Sequence, residues 1–118
     1  MKLRIKNNSV RYRLTQSDVA TLVKNRLLED SVDFGVNKLV YSLQIVDDYQ
    51  LSATFNNNTI TLFMPTSMLT ELAETDKVGF ENIRHLPHLL VEKDFTCLDN
   101  LAEDQSDNYP NPLVAKKL

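Results

Sequence analysis

A single cysteine, two glycines and the absence of any long apolar run each close off a class of structure. Cys97 has no partner for an internal disulfide, and a lone thiol fits a reducing compartment. Gly35 and Gly79 lie far apart, so no glycine-rich phosphate loop can form. No stretch approaches the roughly 20 apolar residues of a membrane helix. The opening Met1-Lys2-Leu3-Arg4-Ile5-Lys6 alternates charge with apolar residues, which the apolar block of a secretory leader cannot do. A cytoplasmic protein without a membrane partner is expected. An overall basic surplus is also missing: the net charge of −3 argues against nucleic acid as a partner.

What remains is an ordinary globular composition. In 118 residues, 42% are hydrophobic and 25% charged, enough for one domain with a real core. Hydrophobic periodicity places strands at 2–6, 10–14, 38–46, 51–55 and 59–64. Asn7-Asn8-Ser9 suits a tight turn, because asparagine tolerates the left-handed conformation. Thr15 and Asp18 have the spacing of a capping box, with Val19, Leu22 and Val23 following at helical spacing.

The same order of signals returns fifty positions on, where Asn58 to Ser67 follows the pattern of Asn8 to Ser17 and Leu69, Leu72 and Ala73 repeat the helical spacing. Two readings fit: a duplicated ββα unit, or two unrelated hairpins each followed by a helix. The expected fold is α+β, an antiparallel β-meander or partly closed barrel with two helices. Residues 1–98 form the domain, and 99–118 form an acidic, proline-containing tail packed on it or trailing from it.

The stretch from Leu89 to Leu98 carries its charges inside an apolar strand-type run. Alternation puts Leu89, Val91, Lys93 and Phe95 on one side and Leu90, Glu92 and Asp94 on the other. A lysine on the apolar side snorkels, pairs with a carboxylate, or loses part of its basicity to desolvation. Charge is also segregated along the chain. Residues 2–26 carry Lys2, Arg4, Lys6, Arg11, Arg13, Lys24 and Arg26 against Asp18 alone. Residues 92–107 carry six carboxylates against Lys93 alone. A basic opening hairpin beside an acidic closing segment follows, with Glu92 and Asp94 paired to Arg4 and Lys6.

No catalytic set emerges, and no cofactor is implied. His85, His88 and Cys97 have donor types that suit zinc, but Pro87 prevents a shared helical face and the spacing fits no known zinc motif. The candidate ligand-binding residues are Arg11, Arg13, Glu92, Lys93 and Asp94.

The runs Val91-Glu92-Lys93-Asp94-Phe95, Cys97-Leu98 and Asp107-Asn108-Tyr109-Pro110-Asn111-Pro112, with the opening Lys2 to Ser9, resemble a family of small uncharacterised bacterial proteins. The resemblance covers most of the chain and implies a bacterial source. It brings no activity with it. Glu92, Lys93, Asp94, Phe95, Cys97, Asp104, Asp107, Tyr109, Pro110 and Pro112 are carried as its signature positions.

Two functions follow as expectations. The first is a non-enzymatic interaction module that binds a protein partner or itself, with outward-facing Phe63 and Val40 as its apolar contacts. The second is a small-anion or phosphoester-binding protein that uses the basic hairpin and Lys93.

Overall fold

The computed structural model describes residues 1–96 and 104–112. Among the described residues the chain runs β1 (Lys2–Lys6), β2 (Ser9–Leu14), α1 (Gln16–Asn25), β3 (Leu27–Asp33), β4 (Lys38–Val46), β5 (Ser52–Asn56), β6 (Thr59–Pro65), α2 (Thr66–Glu74), β7 (Gly79–Asn82) and β8 (His88–Lys93). The α+β class and the two helices are as expected. The strands form two open four-stranded sheets, ordered β1-β2-β8-β7 and β3-β4-β6-β5, so the barrel alternative does not occur.

Local signals are realised closely. Asn7 at φ 51° and Asn57 at φ 51° take the left-handed conformation that closes the β1-β2 and β5-β6 hairpins. Both halves of the capping box are present at α1: Thr15 Oγ1 accepts from Asp18 N, and Asp18 Oδ2 accepts from Thr15 N at 2.9 Å. Together they satisfy two of the orphan N–H groups at the helix start. At α2 the N-cap is Pro65, which has no side chain able to do this.

The duplication is a feature of the fold, and it is longer than the sequence signals suggest. Adding fifty to the bounds of β1 gives those of β5, and the starts of β2, α1 and β4 give those of β6, α2 and β8. Registers repeat as well: Lys2↔Arg13 matches Ser52↔Phe63, and Glu29↔Ser42 matches Gly79↔Glu92. The repeating unit is therefore ββαββ. The two units interleave, since the first hairpin of one lies beside the second hairpin of the other, joined by the parallel pairs β2-β8 and β4-β6. An expected meander from β4 into β5 is broken for this reason, because β6 inserts between them.

One cluster forms the core. Val10, Tyr12, Leu14, Leu89 and Val91 of the first sheet join Leu43, Ile45, Leu62 and Met64 of the second. Val19 and Leu22 of α1 and Leu69 and Leu72 of α2 complete it, with Leu51. Tyr12 ties the sheets together: its hydroxyl donates to the Ile60 carbonyl at 3.1 Å, and its ring meets Tyr41 edge-on at 6.3 Å. Burial pushes the Tyr12 phenol well above its ordinary pKa. Four residues that periodicity assigns to the inside are exposed: Ile5, Val23, Phe55 and Ala73. Val23 and Ala73 fall off the narrow buried stripes of their helices, and Phe55 and Ile5 sit near the tips of equivalent edge hairpins.

Candidate functional site

The end of β8 is where the repeat departs most from itself. Register places Lys93 beside Leu14 on the inner face, after Leu89 and Val91, so alternation assigned its side correctly. In the other repeat that position is Leu43, which is fully buried. Lys93 is 7% exposed. Its ammonium donates to the Thr75 carbonyl at 2.9 Å and lies 4.8 Å from the centre of the Tyr109 ring. No carboxylate among the described residues reaches ion-pairing distance of it, so it is not the simple salt bridge that is the commonest fate of such a lysine. Burial lowers its pKa from the ordinary lysine value, and the charge of Asp76 acts in the opposite direction.

Beyond β8 the backbone continues the sheet. Asp94 N donates to the Leu14 carbonyl, while Tyr109 N donates to Asp94 O and Thr96 N to Tyr109 O, each at 2.8 Å. Phe95 and Tyr109 thus form a parallel bridge, with their rings edge-on at 6.1 Å. Two clefts open at this junction and share Val78, Lys93 and Phe95. The larger, about 420 Å³, adds Asp76, Tyr109, Pro110 and Pro112. The smaller, about 250 Å³, adds Arg13, Glu92, Asp94 and Thr96.

Segment 104–112 is fastened at its other end to α1. Gln16 N donates to the Asp107 carbonyl at 3.1 Å, and Asp107 Oδ1 accepts from Ser17 N and from Ser17 Oγ at 2.9 Å. Hydrogen bonds from Thr15 and Ser17 hold the Asp107 carboxyl below the usual carboxylate range. Such a carboxylate also suits the positive end of the helix dipole. Burial, followed by the charges of Asp107 and Asp18, raises the Tyr109 phenol.

Four of the five candidate ligand-binding residues, Arg13, Glu92, Lys93 and Asp94, meet around the smaller cleft. Their charges are largely committed. Arg13 Nε donates to Glu92 Oε1 at 3.1 Å, and Arg11 Nε lies 3.5 Å from the same oxygen. Asp94 is buried; its Oδ2 lacks a well-aligned hydrogen bond and has the Lys2 ammonium at 2.9 Å as its charge partner. The basic and acidic segments are therefore adjacent, but through Arg11, Arg13 and Lys2. Arg4 and Lys6 do not take part: β2 separates β1 from β8, and of the β1 cations only Lys2, at the end of the strand nearest Asp94, reaches across.

The two histidines have partners of their own among the described residues. His85 Nε2 accepts from Ala53 N at 3.3 Å and its Nδ1 lies 3.0 Å from the Pro87 carbonyl, so both ring nitrogens are engaged in pinning a loop to β5. His88 Nε2 contacts Glu81 at 3.0 Å. Among the described residues no group of three or more His, Cys, Asp or Glu side chains is placed to hold a metal ion, and Cys97 lies outside the described residues. On the second sheet Phe63 and Val40 do face outward, but both are half-buried.

Residue-by-residue reading missed Thr75, Asp76 and Val78, which carry no sequence signal because their part in the cleft depends on where α2 ends. No curated protein and no solved structure matches the chain. Over residues 1–113 the sequence matches the family of unknown function DUF7009, and the chain belongs to that family.

Proposed function

We propose that the protein binds a small organic anion in the larger cleft, with the head of the ligand on Lys93 and an apolar body against Phe95, Tyr109 and Pro110. The observation that carries this is the unspent capacity of the Lys93 ammonium. It has three donors, one goes to the Thr75 carbonyl, one side faces a ring, and no carboxylate neutralises it among the described residues. A volume of about 420 Å³ falls within the range of small-molecule sites. The repeat supports a ligand role, because Leu43 at the equivalent position builds the same inner face without a charge.

Thermal unfolding with millimolar organic carboxylates and phosphate esters tests this. A ligand that binds only the folded state raises the midpoint by mass action. The wild type should respond, and a folded Lys93→Leu variant should not. Equal shifts in both proteins, or none in either, would discard the site.

Self-association is the second reading, favoured by Phe63 and Val40 lying among Ser31, Ser42, Thr59 and Thr61, with Glu29, Asp33 and Lys38 confined to the β3 side and the strand end of that face. Light scattering decides it. A dimer that Phe63→Glu dissociates supports the reading, and a strict monomer removes it.

A further inference from the structure

On the outer face of the first sheet, the β1-β2 register sets Arg4 directly opposite Arg11 and Lys6 opposite Ser9. These four residues line a recess of about 220 Å³. Directly opposed like charges destabilise a strand pair. Little in the protein relieves them. Neither Arg4 nor Lys6 has a hydrogen-bonding or ion-pairing side-chain partner among the described residues. Arg11 has only Glu92 at 3.5 Å, an oxygen that Arg13 already occupies at 3.1 Å.

The second repeat is an internal control. There Thr54 stands opposite Thr61 and Asn56 opposite Thr59, in the same register and behind a turn that Asn57, like Asn7, opens at positive φ. A hairpin of this length closes without cations. The three charges are thus not required by the fold, and they sit in a chain whose net charge is −3.

We propose that this recess is a phosphate site, in which the guanidinium forks of Arg4 and Arg11 and the ammonium of Lys6 take the phosphate end of a small phosphoester or pyrophosphate. Forked guanidiniums match phosphate oxygens in pairs, and a dianion offsets the cations that face each other. Ser9 does not donate to the ligand, since its hydroxyl already donates to the Lys6 carbonyl at 2.6 Å. It holds the strand end in place. The site is independent of the Lys93 cleft, because Arg4 and Arg11 are on the outer face and Lys93 is on the inner.

Calorimetric titration with inorganic pyrophosphate at low ionic strength tests it on three proteins: the wild type, the double variant Arg4→Thr, Arg11→Thr, which copies the other repeat, and Lys93→Leu. The wild type should bind, the double variant at least tenfold more weakly while unfolding at an equal or higher temperature, and Lys93→Leu as the wild type does. Adding a nucleoside diphosphate separates the sources: equal affinity assigns the phosphate group alone, and tighter binding assigns a nucleotide phosphate. No binding at millimolar pyrophosphate, or undiminished binding by the double variant, overturns the proposal. So does a single-stranded oligonucleotide that binds more tightly than pyrophosphate. Loss of pyrophosphate binding in Lys93→Leu would move the anion to the cleft, ending this proposal and leaving the cleft reading in place.

Discussion

The two sheets follow one ββαββ plan, yet their outer faces differ in kind. On the first, Arg4, Lys6, Arg11, Arg13, Glu81 and Glu92 stand where the second has Thr54, Asn56, Thr61, Phe63, Ser31 and Ser42. The ion pair of Arg11 with Glu92 at 3.5 Å corresponds to a hydrogen bond between Ser42 and Thr61 at 3.2 Å. Inside, Lys93 corresponds to Leu43. The parallel pairs also differ: Glu92 lies opposite Arg13, whereas Ser42 lies opposite Thr61, a slip of two residues. A slip of two keeps every side chain on its own face, while a slip of one would invert the sheet. The fold therefore tolerates either set of outer residues, and the charged set is concentrated in the sheet that carries both candidate sites.

Substitutions that copy one repeat into the other test this directly. The largest effect is expected at Gly79, whose counterpart is Glu29. A Cβ built on Gly79 would lie 2.5 Å from the Val91 carbonyl and 2.7 Å from Glu92 Cβ, so Gly79→Ala must push β7 away from β8. Overpacking of this kind costs about 1–3 kcal/mol. Urea unfolding should read that loss, and an unchanged midpoint would mean that the two repeats share the same strand spacing here.

Next in size is Tyr12, whose counterpart is Leu62. Tyr12→Phe removes the donor to the half-buried Ile60 carbonyl and should cost about 1 kcal/mol by the same measurement. A loss near zero would mean that water reaches that carbonyl.

For Lys93→Leu the expected change is neutral to about 1 kcal/mol more stable, since a desolvated charge gives way to a side chain the other repeat already buries. The pH dependence sharpens this. Because the folded pKa of Lys93 is lowered, the unfolded chain holds the extra proton between that value and the ordinary lysine value. The wild type should gain stability as pH rises through that window, and Lys93→Leu should lack that gain. Parallel pH profiles would place the ammonium in water.

The smallest effect concerns Asp107, which has no counterpart. Its lowered pKa means that its contribution is present above the ordinary carboxylate range and is lost as pH falls through the folded value. The protection factors of the Gln16 and Ser17 amides, taken against intrinsic exchange at the same pH, should fall in acid, and Asp107→Asn should show that lower protection already at neutral pH. Protection that is independent of both would detach segment 104–112 from α1 in solution.

Legibility in the sequence followed the range of the interaction. Strand faces, including the inward side of Lys93 and the outward side of Arg11 and Arg13, were readable because alternation is a property of consecutive residues. The asparagine turns and the Thr15-Asp18 box were readable for the same reason, as each involves groups within three positions. At the candidate site the run around Lys93 was visible as charge in an apolar strand, and Tyr109 and Pro110 were visible in the run that carried the resemblance. Their meeting with Asp76 and Val78 was not.

By itself, then, the sequence determined both helices and most of the strands, the faces of those strands, a pattern that returns after fifty residues and the segregation of charge, because these depend on local geometry and composition. Tertiary structure alone decided that the repeats interleave, that β2 rather than β1 neighbours β8, and that Lys93 ends against a carbonyl and a ring. A strand's alternation specifies which side chains face inward but carries no label for its lateral neighbour. Pairing Arg13 with Glu92, nearly eighty residues away, is settled only when the buried faces of both sheets close on a common core.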